Sequence, residues 1–78
     1  MEIKILGMGC PKCNRLEELA REAAADLGVE AAFTKVKDMD AIMAYEVMNT
    51  PALVINEVVK SSGRIPRKEE IVEWLRMA

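Results

Sequence analysis

The chain has 78 residues, 51% hydrophobic and 31% charged, with 11 basic against 13 acidic side chains and a net charge of −2. A single domain of this length buries only about 60% of the surface its unfolded form exposes, and its near-balanced charge leaves no basic footprint for nucleic acid. Phe33, Tyr45 and Trp74 are too scattered to stack bases, no stretch approaches the ~20 apolar residues of a membrane span, and Glu2 and Lys4 break up the N-terminal apolar run before it could serve as a signal peptide. The expectation is one domain over residues 1–78, a cytoplasmic monomer that engages neither nucleic acid nor membrane.

Met1–Leu6 reads as a first strand, with Ile3 and Ile5 alternating against Glu2 and Lys4, and with Gly7 and Gly9 punctuating its end. The next element is a helix that starts at or just inside the cysteine pair, with Pro11 suited to a first helical position. Leu16, Leu19, Ala20, Ala23, Ala24 and Leu27 recur at spacings of three and four and give it one apolar face. Glu17 and Arg21 can pair on the opposite face, and Gly28 is a helix stop. Val29–Lys37 reads as a second strand, and the crossover helix between the two implies that they run parallel. Asp38 can cap a short second helix through about Val47, with Ile42, Met43 and Val47 inward. Asn49-Thr50-Pro51 ends it.

Ala52–Ile55 then reads as a strand, Asn56-Glu57 as a two-residue turn and Val58–Ser61 as the returning strand of a hairpin. Gly63 and Pro66 break the chain before a last helix, Arg67–Met77, which buries Ile71, Val72 and Leu75 and partly covers Trp74. The predicted order is β-α-β-α-β-β-α, an α/β fold. Met8, Met39, Met43, Met48 and Met77 are expected mostly to fill gaps in the core.

The chemistry centres on Gly9-Cys10-Pro11-Lys12-Cys13, which holds both cysteines of the chain. Closing so short a loop gives little chain-entropy stabilisation, so the pair is a poor staple. In a reducing compartment two close cysteines are more often catalytic or metal-binding than structural. A thiol attacks only as the thiolate, and a helix N-terminus favours that anion through its unpaired amides and macrodipole. Cys10 sits just before the first turn and Cys13 within it, with Lys12 and Arg15 adding positive charge. Cys10 is therefore expected to be the exposed, more readily ionised attacking thiol. Cys13 is expected to resolve the mixed disulfide. A C-x-x-C at a strand-to-helix junction in a βαβ pattern is the signature of a redox motif. Thr50-Pro51 is locally readable as no more than a helix stop. In a thiol protein with this element order, a cis proline there would hold the backbone facing the disulfide and keep that edge open for an extended substrate segment.

Cys10-Pro11-Lys12-Cys13, Thr50-Pro51 with its following strand, Gly63 after the hairpin and the closing amphipathic helix together resemble the thioredoxin superfamily. The chain is similar in size to the small glutaredoxin-sized thioredoxin-like proteins of archaea and bacteria, often called redox-active disulfide proteins. The resemblance spans essentially the whole chain and matches Cys10 to the attacking cysteine, Cys13 to the resolving one and Pro51 to the cis proline. It implies a four-stranded mixed sheet flanked by helices, with the third and fourth strands antiparallel to the first two. It also implies disulfide-containing protein substrates, electrons from a thioredoxin-reductase-like protein or a small thiol, and no bound organic cofactor. The chain departs from the pattern at Lys4, where thioredoxins commonly carry a buried acid, so proton handling at Cys13 must run through water or a lysine. Ser62-Gly63-Arg64 stands where glutaredoxins usually carry a Gly-Gly pair, so glutathione use is not implied.

Gly7-Met8-Gly9-Cys10-Pro11-Lys12-Cys13 also resembles the G-M-x-C-x-x-C loop of heavy-metal-associated domains, and soft thiolates suit Cu(I). On that reading Cys10 and Cys13 are metal ligands of a copper chaperone. Against it, that fold ends β-β-α-β, whereas this chain ends in a helix after a hairpin, and Thr50-Pro51 would have no role. A structural zinc site wants four protein ligands, and this chain offers two cysteines and no histidine.

Overall fold

The alternation of Ile3 and Ile5 with Glu2 and Lys4 becomes β1 (Glu2–Leu6) in the computed structural model, which describes residues 1–9 and 11–78. The elements that follow are α1 (Pro11–Leu27), β2 (Ala32–Val36), α2 (Met39–Ala44), β3 (Ala52–Ile55), β4 (Val58–Ser62) and α3 (Lys68–Met77). This is the expected β-α-β-α-β-β-α order. The four strands form one mixed sheet in the order β2-β1-β3-β4. β1 runs parallel to β2 and antiparallel to β3, which pairs antiparallel with β4. One expectation is corrected here: β4 is not antiparallel to the first two strands but runs in their direction. The cause is the hairpin, since a two-residue turn must reverse the chain. Asn56 and Glu57 both take positive φ (50° and 69°), as such a turn requires. The turn is also tied to β1, because the Asn56 amide donates to the Glu2 carbonyl at 2.8 Å and the Glu2 amide to Asn56 Oδ1 at 3.0 Å.

The sheet separates two apolar clusters. On one face Ile3, Ile5, Leu53 and Ile55 pack against Leu16, Leu19, Ala20, Ala23 and Ala24 of α1 and Ile71 and Leu75 of α3. The alanines of α1 let two helices share that face. On the other face Leu6, Ala52 and Val54 meet Ile42 and Val47. β3 is buried at every residue because it is interior to the sheet and covered on both sides, which is why its sequence is an unbroken apolar run.

Several boundaries differ from expectation for identifiable reasons. β2 starts at Ala32 rather than Val29. Gly28 (φ 68°) ends α1, and the amides of Gly28 and Val29 turn back to the carbonyls of Ala25 and Ala24. The residues that lead into β2 are thus spent finishing the helix. α2 ends at Ala44 rather than near Val47, and Glu46 follows with φ 61°. Asp38 does stand at its N-cap, but its side chain makes no capping hydrogen bond. In so short a helix Ile42 alone turns to the sheet, and Met43 beside it is exposed. The other methionines expected to fill the core are also exposed: Met8 (62%), Met39 (52%), Met48 (95%) and Met77 (75%). Val72 is half-buried rather than core.

At the start of α3, Arg67 is the N-cap residue and Glu70 accepts from its backbone N–H at 3.4 Å. The Arg64 guanidinium sits 2.8 Å from Glu70 and, with the Arg67 amide, holds the Glu70 carboxyl down to about 2 from 4.5. A depressed carboxyl stabilises the fold fully above its unfolded value and loses that contribution as pH falls through its folded value. Glu70→Gln should therefore lower Tm at pH 7, with the difference from the unsubstituted protein closing between about pH 4.5 and 2. Thermal unfolding followed across that range checks it; a gap of constant size would mean that Glu70 does not act through its charge.

Candidate functional site

α1 begins at Pro11, whose fixed φ suits the first helical position and whose missing N–H costs nothing there. Gly9 (φ 84°) supplies the left-handed residue at the approach to it. Pro11 and Lys12 lie exposed in the first turn, while Cys13 is 5% exposed and faces inward. Cys10, placed by the sequence as the attacking thiol, lies outside the described residues. The first turn of α1 carries no acidic side chain among the described residues. Lys12 thus adds its charge to the positive end of the helix. Arg15, expected to do the same, is paired with Glu18 at 3.2 Å, which offsets its charge.

The pairing of Leu6 with Ala52 brings the end of β1 beside the start of β3. Gly7 follows the one and Pro51 precedes the other. A Cβ placed on Gly7 would stand 3.3 Å from Cys13 Cβ and 3.9 Å from Thr50 Cβ, so the side chains of Cys13 and Thr50 both abut this glycine. Pro51 is fully buried and the Thr50–Pro51 peptide is cis. The Pro51 carbonyl accepts the Gly63 amide at 3.0 Å. Gly63 has φ 76°, and a Cβ there would press on Asn49 Cβ at 3.0 Å, so the chain leaving β4 braces the segment from Asn49 to Pro51. Pro11, Lys12, Cys13, Thr50 and Pro51 therefore gather at one end of the sheet.

Asn49 and Met48 belong to this end with no site role expected from sequence, and so do Gly7 and Met8, which the sequence places in the cysteine loop only through its resemblance to a metal-binding motif. Met8 precedes Gly9, Met48 precedes Asn49, and both are solvent-exposed. The sequence offers for Gly7 only its place straight after a strand; the structure adds that no positive φ requires a glycine there. A glycine that the backbone does not need is often there for close approach.

Lys4 stands six residues before Cys10, and its ammonium donates to Glu57 Oε1 at 2.6 Å and to the Tyr45 hydroxyl at 2.8 Å. The hydrogen bond to Glu57 and then that to Tyr45 push the Lys4 amine above the ordinary lysine range. Lys4 in turn, with Tyr45, holds the Glu57 carboxyl below the usual carboxylate range. This cation is committed to the turn end of the hairpin, away from Gly7.

Among the described residues no group of three or more Cys, Asp or Glu is placed to hold a metal ion, and no helix is long and apolar enough to cross a membrane. A shallow cleft lined by Asp26, Lys68, Glu69 and Val72 opens at the far end of α1, about 20 Å from Cys13 by helical rise. Pro11, Lys12 and Cys13 thus lie away from that cleft.

The family model described as a thioredoxin domain matches residues 1–76. A protein of Methanothermobacter thermautotrophicus named thioredoxin is 44% identical over 75 residues, which cover 96% of this chain and 97% of that protein. One of Methanocaldococcus jannaschii with the same name is 40% identical over 74 residues, covering 95% and 85%. The chain is similar to both over nearly its whole length, and no comparable likeness supports the copper-carrier reading.

Proposed function

The chain belongs to the thioredoxin family of thiol–disulfide oxidoreductases, and from that premise we propose that it reduces protein disulfides through Cys10 and Cys13 while remaining a cytoplasmic, single-domain monomer. Cys10 is the attacking thiol. Its thiolate displaces one sulfur of the substrate disulfide, forming a mixed disulfide and releasing the first substrate thiolate. Cys13 then attacks Cys10 Sγ, which forms the Cys10–Cys13 disulfide and releases the second. The substrate gains two electrons and two protons, and the dithiol loses them. A thioredoxin-reductase-like protein or a small thiol restores the dithiol, and no bound cofactor takes part.

The observation that carries this reading is the meeting of Cys13 and Thr50 over Gly7. It supports a substrate strand lying along Thr50 and Pro51, within reach of the pair. Burial of Cys13 supports the order of the two steps, because an incoming disulfide does not reach a buried sulfur first. Pro11 sets the start of the helix and Lys12 favours the attacking thiolate. Exposed Met8 and Met48 flank this edge with soft, adaptable apolar surface suited to varied polypeptides.

The protein should accelerate the reduction of a protein disulfide such as that of insulin by dithiothreitol, at concentrations far below that of the reductant. An unchanged rate with the fully reduced protein would overturn the proposal.

A further inference from the structure

Gly7 takes part in no chemistry, yet it is the residue against which the proposed resolving cysteine packs. Its own amide is fixed, donating to the Val36 carbonyl at 2.9 Å, so the backbone at this point is clamped between β1 and β2. No positive φ is found at Gly7, unlike Gly9, Gly28 and Gly63. Conformational freedom therefore does not explain the glycine. Space does: a methyl group on Gly7 would overlap Cys13 Sγ, crowd Cys13 Cβ at 3.3 Å and reach Thr50 Cβ at 3.9 Å. Cys13 is 5% exposed and sits on α1, whose next apolar residues Leu16, Leu19 and Ala20 are locked in the core, so the helix cannot easily withdraw.

We infer that Gly7 is a positioning residue of disulfide exchange, whose missing side chain leaves the notch in which Cys13 Sγ is held for attack on the mixed disulfide. The inference rests on Cys13 being the resolving thiol. Gly7→Ala displaces the sulfur rather than altering its chemistry. Attack by Cys10 should then proceed at its ordinary rate while resolution slows, because misplacing a reacting atom by about 1 Å can cost up to about a hundredfold.

Two measurements on reduced protein test this. With a chromogenic aromatic disulfide, attack releases the first coloured thiolate and resolution the second. Gly7→Ala should leave the first release unchanged and slow the second about tenfold or more. A double-mutant cycle of thermal stability, built from Gly7→Ala and Cys13→Ala, should show that removing the sulfur recovers at least about half of the Tm lost to the added methyl. If Gly7→Ala alone does not fold, the double variant should. Resolution at the ordinary rate, or an equal Tm loss with and without the sulfur, overturns the inference. If the unsubstituted protein releases neither thiolate, the oxidoreductase reading itself fails, and the stability cycle still reports whether Gly7 and Cys13 Sγ share one space.

Discussion

Cys10→Ser is expected to stop disulfide exchange, lowering turnover at least about a thousandfold, whereas Cys13→Ser is expected to start the reaction and fail to finish it. The two variants differ because the two sulfurs act in sequence. A serine hydroxyl is not ionised near neutral pH and cannot replace the attacking thiolate, and loss of a nucleophile removes the whole covalent route rather than a fraction of it. With Cys13 replaced, the mixed disulfide on Cys10 has no internal thiol to break it. Target proteins should accumulate as adducts that survive denaturation and fall apart on adding a thiol reductant. Gel analysis under non-reducing conditions reads this directly. Adducts formed through Cys13 in the Cys10→Ser protein, and absent from the Cys13→Ser protein, would reverse the assignment.

Leu53→Ala should have the largest effect on stability. Leu53 is completely buried in β3 between Ile5 and Ser61 of the neighbouring strands and faces α1 and α3. Truncating a buried leucine typically costs about 2–5 kcal/mol, through lost transfer energy and the cavity left behind. A chain of this length has a total stability of only about 4–12 kcal/mol. In a domain this small each kcal/mol moves Tm by about 4–8 °C, so Tm should fall by roughly 8–40 °C. Calorimetry of the reduced protein provides the value, and a fall of only a few degrees would mean that β3 is not the centre of the core.

The helical periodicity of α1 and the unbroken apolar run of β3 were legible in the sequence because each is a dense local signal of the period its element requires. The hairpin was legible from Asn56-Glu57, whose positive φ values match a two-residue turn. β2 and α2 were overextended because their ends depend on backbone turns at Gly28 and Glu46 that apolar patterning does not report. The resemblance groups β4 with β3 in direction, whereas the two-residue turn between them fixes the opposite. Met39 and Met43 differ from expectation because residue type alone does not say which side of a short helix meets the sheet, and Met8, Met48 and Met77 because they stand in loops or at a helix end. At the site, the cysteine spacing stands out from local sequence, whereas Thr50-Pro51 reads locally as a helix stop and gains its meaning only from the element order around it. Gly7 does not stand out, since its importance lies in distances to Cys13 and Thr50, residues from two other parts of the chain.

On the proposed mechanism Cys10 and Cys13 interconvert as a catalytic dithiol and disulfide. A thiol-trapping redox titration of the metal-free protein tests it most directly, by counting free thiols at each poised potential. The expected result is a single two-electron transition between about −180 and −300 mV, the range of catalytic dithiols. Two thiols still free at every potential across that range would contradict the claim and make Cu(I) affinity the property to measure.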